Sequence, residues 1–277
     1  MTKTYAVIGD PIDHSLSPAI HNAAFAFLGL DCTYIAYRIP KDDLALGIES
    51  LKLINIAGFN VTIPHKVEMM KLLDSADEDC KMIGATNTVD NENGKFKGYN
   101  TDMDGFLEPI KKRSLTCKDS DVLLVGAGGA ARAIVAAFAK EKAHKITIAN
   151  RTKEKAEELV KFANKLGIES EYTDLSNAGN TAGNYRFIVN ATSVGMKNNT
   201  SPISTRMINK DCTVYDLVYM PVDTELLEQS KKQGATIIYG WEMLLAQAMR
   251  SFEIWTKRKA PIQMMRKALE KALKEEK

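Results

Sequence analysis

A chain of 277 residues has room for two domains of ordinary size, each able to bury its own core. Hydrophobic residues at 45% and charged residues at 26% match an ordinary globular protein, which excludes collagen-like, disordered and disulfide-scaffold classes. With 37 Lys and Arg against 35 Asp and Glu, the net charge of +2 gives no basic field for nucleic acid.

Cys32, Cys80, Cys117 and Cys212 have neither metal-ligand nor redox spacing. They read as reduced structural thiols, with no metal site implied. Met1–Asp10 lacks the pattern of a signal peptide, and no run approaches ~18 apolar residues. A cytoplasmic protein without a membrane span is expected.

Short β-rich runs stand at Thr4–Ile8, Thr33–Arg38, Ala57–Val61, Ala85–Val89, Asp121–Val125, Lys145–Ala149, Phe187–Asn190, Thr213–Leu217 and Thr236–Ile238. Helical patterns at Pro18–Leu28, Asp42–Leu53, Val67–Leu73, Ala131–Lys140, Lys153–Leu166 and Thr224–Gln233 fall between them. The alternation predicts an α/β fold with mostly parallel sheets covered by helices. A polar stretch at Leu115–Ser120 precedes a new apolar strand, and a long helix, Trp241–Lys257, is followed by an amphipathic segment, Pro261–Glu276. We read residues 1–103 with 241–277 as one α/β domain, completed by the C-terminal helices. Residues 104–240 read as an inserted Rossmann-type domain.

In chain order, the first polar motif is Asp10-Pro-Ile-Asp-His-Ser-Leu-Ser-Pro18. If Ser15–Ser17 is extended, the two hydroxyls share a face and suit a carboxylate or polyol. Alternatively Ser17 caps the helix that Pro18 opens, and His14 is structural. Asn60-Val-Thr-Ile-Pro-His-Lys66 then leads into the pattern Val67–Leu73. Lys66 falls in a first helical turn, where the positive dipole end destabilises an ammonium and makes a readier proton donor. An exposed surface lysine is the competing reading. Asn87 and Asp102 close two further polar runs, with Asp102 placed to be either a cap or a functional carboxylate.

Val122–Val125 runs into Gly126-Ala-Gly-Gly-Ala-Ala131 and then into a helix, the strand–G-x-G-x-x-A–helix context of a dinucleotide site. Gly126 permits the tight turn, Gly128 the approach of a pyrophosphate, and Ala131 the close packing of the helix, whose free N–H groups face the phosphates. The next strand ends in Asn150-Arg-Thr152. An NAD site calls for Asp or Glu there. Arg151, followed by Lys153 and Lys155, suits the 2′-phosphate of NADP.

Taken together, Gly9–Pro18, Asn60–Lys66, Gly84–Thr88, Tyr99–Asp102, Gly126–Arg132, Asn150–Thr152, Asn190–Gly195, Asp216–Tyr219 and Gly240–Gln247 resemble the shikimate dehydrogenase family over essentially the whole chain. The resemblance implies two domains flanking an active-site cleft and reversible NADPH-dependent reduction of 3-dehydroshikimate to shikimate, in the biosynthesis of chorismate and aromatic amino acids. It implies Lys66 and Asp102 as the catalytic pair. It implies Ser15, Ser17, Thr62, Asn87, Asp102, Tyr219 and Gln247 as substrate contacts. Implied cofactor contacts are Glu78, Gly126, Ala127, Gly128, Gly129, Ala130, Asn150, Arg151, Thr152, Lys155, Thr192, Leu217 and Gly240. Partners are then small molecules, with no nucleic acid and no membrane, on a monomer or homodimer. The chain departs from some relatives at Lys155, where they have Arg, and at Pro109, which interrupts the helix expected after Asp102 and removes one of its hydrogen bonds. Three alternatives remain: a quinate/shikimate dehydrogenase using NAD, a non-catalytic NADP-binding regulator on the same fold, and another Rossmann reductase such as a folate dehydrogenase.

Overall fold

The computed structural model describes residues 2–275. In chain order the elements are β1 (Lys3–Gly9), α1 (Ser17–Phe27), β2 (Cys32–Arg38), α2 (Leu44–Leu53), β3 (Gly58–Val61), β4 (Ser75–Ala76), α3 (Glu78–Ile83), β5 (Thr88–Glu92), β6 (Lys95–Tyr99) and α4 (Asp102–Lys112). They continue with β7 (Asp121–Val125), α5 (Gly129–Lys140), β8 (Lys145–Ala149), α6 (Lys153–Lys165), β9 (Glu169–Thr173), α7 (Leu175–Asn180), β10 (Phe187–Asn190), β11 (Thr213–Asp216), α8 (Glu225–Lys232), β12 (Thr236–Ile238), α9 (Gly240–Thr256) and α10 (Ile262–Glu275). Glu276, at the end of the expected last segment, lies outside the described residues. The chain divides into two compact units, Met1–Gly105 with Leu245–Lys277, and Phe106–Leu244. The divisions fall inside α4 and inside α9.

The first unit carries a six-stranded sheet in the order β2-β1-β3-β5-β6-β4. β1, β2 and β3 are parallel, whereas β5 runs antiparallel to both β3 and β6. The sequence pattern placed a strand at Ala85–Val89 and none at 95–99. The observed hairpin instead begins at Thr88 and turns through Asn93 and Gly94, both at positive φ. Its second strand, Lys-Phe-Lys-Gly-Tyr, is too polar to announce itself. Beneath the sheet, Ile8, Ile48, Phe59, Val61 and Phe96 form a fully buried core. On the other side, Trp255 of α9 packs tilted against Tyr5, with ring centroids 5.0 Å apart. Its Nε1 donates to the Val89 carbonyl at 2.9 Å. A Cβ at Gly58 would come within 2.8 Å of that indole and of the same carbonyl, so only glycine lets α9 seat here.

The second unit carries an all-parallel six-stranded sheet in the order β12-β11-β10-β7-β8-β9. This is the doubly wound order, reversing direction at β7. β9, Glu-Ser-Glu-Tyr-Thr, is an edge strand with Glu169 and Glu171 exposed, and its polar composition hides it from a hydrophobic pattern. Caps and charges mark α8. The Thr224 hydroxyl accepts the Leu227 N–H, Glu225 and Glu228 lie in the first turn, and Lys231 and Lys232 in the last. Pro109 lies inside α4 without ending it, and the Arg113 guanidinium donates to the Pro109 carbonyl at 3.1 Å.

Candidate active site

In the first unit, strand register gathers the polar residues at one end of the sheet. Asn60 lies opposite Thr88, and Thr88 opposite Tyr99. The carboxyl ends of β1, β3 and β6 and the amino end of β5 therefore open on the same edge. Lys66 follows β3 in a turn, Asn87 precedes β5, and Asp102 opens α4. The Lys66 ammonium is bonded to Asp102 Oδ2. The two side chains are only 13% and 5% exposed, respectively. The other oxygen, Oδ1, accepts from Asn87 Nδ2 at 2.8 Å. Asn87 Oδ1 in turn accepts the Thr101 N–H at 2.7 Å. A backbone N–H only donates and a carboxylate only accepts, so the orientation of the Asn87 amide is determined at both ends.

This corrects the sequence argument for Lys66. Val67–Leu73 is not an α-helix. The segment is a short 3₁₀ turn, Glu68–Leu72, and Lys66 precedes it. No α-helix begins at Lys66 to supply the expected dipole; its partner is a carboxylate 36 residues away, at the start of α4.

The Ser15–Ser17 reading also changes. Leu16 is in the right-handed helical region and is itself the N-cap of α1, so the two serines are not extended. Ser17 is the first helical residue and caps nothing. Its N–H donates weakly to Ser15 Oγ at 3.4 Å, and its hydroxyl is hydrogen-bonded to Tyr34, whose phenol burial pushes well above its usual range. Tyr34 donates to Asn60 Oδ1 at 2.7 Å, which ties α1 to the same polar edge. The Thr62 hydroxyl, half-buried just after β3, has no protein partner among the described residues. Gln247, on α9, brings its side-chain Oε1 within 3.5 Å of Asn87 Nδ2.

In the second unit the register aligns Val125 with both Ala149 and Asn190, and Asn190 with Asp216. The nucleotide-type residues follow directly on these strand ends. Gly126 has φ +111°, and a Cβ there would lie 2.9 Å from the Thr192 side chain and 3.0 Å from the Ala191 carbonyl, so glycine is required. Nothing lies within 4 Å of where a Gly128 Cβ would be. Gly128 is the N-cap of α5, and the first turn, from Gly129 and Ala130, contains no acidic residue. The free N–H groups of a 12-residue helix thus open beside Ala127 and Gly128. At the tip of β8, Asn150 Nδ2 donates to the Thr152 carbonyl at 2.8 Å. Thr152 is the N-cap of α6, yet its hydroxyl makes no capping bond. Arg151 and Lys155 are exposed, and neither meets a carboxylate among the described residues, whereas Lys153 pairs with Glu157 at 3.6 Å.

Asp216, fully buried at the end of β11, holds the surrounding loops. It accepts from Asn190 Nδ2 at 2.9 Å, from the Val218 N–H at 3.0 Å and from the Thr224 hydroxyl at 2.7 Å. Burial pushes its carboxyl up to about 6, against the pull of those three donors. Leu217 donates its N–H to the Asn190 carbonyl, and Gly240 packs within 2.5 Å of the Leu217 and Val218 carbonyls as measured from an added Cβ. Gly126, Thr192, Leu217 and Gly240 are therefore one cluster. Tyr219 follows in this second unit, half-buried. Glu78 belongs to the other unit. It opens α3 in the first unit, 91% exposed and paired with Lys81 at 2.9 Å.

The sequence reading did not single out Asn60, Thr101 and Ser251 in the first unit or Asn190 and Asp216 in the second as supports. Polar residues at the ends of otherwise apolar strands were the available signal. Among the described residues no group of three or more His, Cys, Asp or Glu could hold a metal, and no helix is long and apolar enough to cross a membrane.

Family models match the chain in three segments: "Shikimate dehydrogenase substrate binding domain" over residues 7–89, "Shikimate / quinate 5-dehydrogenase" over 109–213 and "Shikimate 5'-dehydrogenase C-terminal domain" over 240–270. A shikimate dehydrogenase (NADP(+)) of Nitrosopumilus maritimus is 62% identical over 97% of this chain and 98% of its own length. The chain belongs to the shikimate dehydrogenase family. A crystal structure of a shikimate dehydrogenase in complex with NADP+ superposes with a TM-score of 0.91 at 40% identity, covering 98% of this chain and 96% of that one. The shikimate dehydrogenase of Thermus thermophilus, in complex with NADP(H) and shikimate, gives 0.87 at 32% identity, covering 98% and 99%. Within this family, the Lys66–Asp102 edge lies in the segment described as substrate binding and the residues that follow it.

Proposed function

We propose that this chain is an NADP-dependent shikimate dehydrogenase that interconverts 3-dehydroshikimate and shikimate in the cytoplasm, in the pathway to chorismate and aromatic amino acids. The observation that carries the reading is the Lys66 ammonium held on Asp102, whose second oxygen is held by Asn87. The cofactor fits the residues present. Gly128 leaves open space, the α5 N-terminus has free donors and no acid, and Arg151 and Lys155 are cations that meet no carboxylate among the described residues. In this reading the N–H groups of Gly129 and Ala130 hold the pyrophosphate, and Arg151, Lys155 and the Thr152 hydroxyl hold the 2′-phosphate. Asn150 supports that loop, while Ala127, Thr192, Leu217 and Gly240 shape the nicotinamide side.

When bound, NADPH supplies the hydride that reduces the ketone. Lys66 Nζ gives a proton to the ketone oxygen as negative charge builds there, and the resulting amine recovers one from solvent. Asp102 keeps the ammonium aimed and accepts from a ring hydroxyl. Ser15, Ser17, Thr62, Asn87, Tyr219 and Gln247 bind the remaining hydroxyls and the carboxylate. The unpartnered Thr62 hydroxyl supports this, since a ligand satisfies it without breaking an internal bond. The four free cysteines, three of them buried, accord with a reducing compartment.

One spectrophotometric experiment tests the reading by crossing shikimate and quinate with NADP and NAD. The highest kcat/KM is expected for shikimate with NADP. A preference for quinate with NAD would replace it by the NAD-dependent alternative, and no turnover of any pair would favour a non-catalytic regulator.

A further inference from the structure

Behind Asn87 lies a second polar layer whose side chains make no hydrogen bond to the Lys66 or Asp102 side chain among the described residues. Ser251 is on α9, one turn beyond Gln247, and is fully buried. A serine here is unexpected for packing alone, because Phe252, Ala248 and Trp255 around it on the helix are apolar and buried. Its Oγ lies 2.8 Å from Thr88 Oγ1 and 3.2 Å from Thr101 Oγ1, accepts from Asn60 Nδ2 at 3.1 Å, and donates to the Gln247 carbonyl at 3.0 Å.

Each hydroxyl has one proton, which orders this cluster. The Gln247 carbonyl only accepts, so Ser251 spends its proton there. The Thr88 and Thr101 hydroxyls then have two acceptors to share, Ser251 Oγ and Asn87 Oδ1, the latter lying 3.1 Å from Thr88 and 3.2 Å from Thr101. The Asn60 amide is oriented independently. Its Oδ1 accepts from Tyr34, and its Nδ2 donates to the Asn87 carbonyl at 2.9 Å, which cannot donate back. Ser251 is therefore a point at which one side chain of α9 reaches β3, β5 and the residue before Asp102 together. Through it the backbone that carries Gln247 is referred to the amide that holds Asp102.

We propose that Ser251 is a positioning residue for the proton-transfer pair, setting Asn87 and Thr101 so that Asp102 presents the Lys66 ammonium to the reacting oxygen. The proposal rests on the reading of Lys66 and Asp102 given above. In Ser251→Ala the Gln247 carbonyl loses its side-chain donor, and Thr88, Thr101 and Asn60 lose a common partner. The Thr88 and Thr101 protons then compete for Asn87 Oδ1, and the amide, still oriented by the Thr101 N–H and the Asp102 carboxylate, loses the fixed neighbours that set its position against Asp102.

Four enzymes test this: wild type, Ser251→Ala, Lys66→Ala and the double variant, each assayed with shikimate and NADP well below its Tm. Ser251→Ala is expected to lower kcat about 3–10-fold, with KM for NADP unchanged and Tm lowered by only a few degrees. In the Lys66→Ala background the same change is expected to cost no further kcat, because the group it positions is gone. A merely structural serine would lower Tm equally in both backgrounds and leave kcat at low temperature untouched in both; that result overturns the proposal. An equal kcat loss in both backgrounds overturns it too. If instead Lys66→Ala keeps its kcat, the reading of the pair fails and the proposal with it. If Lys66→Ala is inactive while Ser251→Ala is normal, only the proposal fails. Should Ser251→Ala not fold, Ser251→Cys, nearly the same size with a weaker donor, is judged by the same two comparisons.

Discussion

The two sheets present opposite solutions at their polar ends. In the first unit, Lys66, Asp102, Asn87 and Thr101 satisfy one another, and the ion pair is almost wholly out of solvent. In the second, Arg151 and Lys155 stand exposed with no carboxylate partner among the described residues, and the first turn of α5 has no acid to occupy its N–H groups. A group that must give a proton in the transition state gains from being aimed before the substrate arrives. A group that binds a phosphate gains from having no internal anion to give up. Arg113 shows that the second unit can make such pairs: it grips Glu242 through both guanidinium arms at 2.8 Å. The freedom of Arg151 belongs to its position at the tip of β8.

The comparison breaks most visibly at Lys66. Lys66→Ala is expected to lower kcat and kcat/KM together by about 10²–10⁴-fold, with little change in KM, in steady-state assays. A near-normal kcat would remove this lysine from the chemistry.

The second unit's own buried carboxylate, Asp216, sharpens the contrast because it is held by neutral donors instead of a cation. Burial raises it to about 6 in the folded chain, so between the ordinary carboxylate range and pH 6 the folded state binds more protons than the unfolded. Its contribution to stability is therefore fully present below about pH 4 and is lost as pH rises through about 6. Urea unfolding from pH 4 to pH 7 checks this. Asp216→Asn should flatten that part of the profile, by an amount on the order of 3 kcal/mol. Parallel profiles would show that Asp216 ionises normally.

Arg151→Ala is expected to raise the KM for NADP about 10–100-fold while leaving NAD turnover unchanged. Equal losses with both cofactors would make Arg151 structural. The smallest effect is expected at Ser15, whose one side-chain bond among the described residues is the weak one at 3.4 Å. Ser15→Ala should raise the KM for shikimate about 2–10-fold without lowering Tm. A lower Tm with unchanged KM would assign that hydroxyl to the turn.

The strands of the second unit, apart from its edge strand β9, were legible because parallel strands buried on both faces read as short apolar runs. The glycine turn after β7 was legible because a positive φ and a close approach to Ala191 and Thr192 leave no other residue type possible. Residue types also marked both halves of the candidate site, through a run of hydroxyls and amides in one and an Arg where an acid would select NAD in the other. Position within a supposed helix was a poor guide to environment. The dipole assigned to Lys66 and the cap assigned to Ser17 both depended on helix boundaries, which a local pattern leaves loose by a turn. What Lys66 faces depends on a strand register that brings Asn60, Thr88 and Tyr99 abreast, through a hairpin too polar to be seen in the sequence. The amino-acid sequence by itself determined the α/β architecture, with the all-parallel second sheet, and the chemical types at each strand end. Only the tertiary structure decided which of those groups are partners and which are left free, because a hydrogen bond between residues 36 apart, or 150 apart as for Thr101 and Ser251, depends on where folded elements meet.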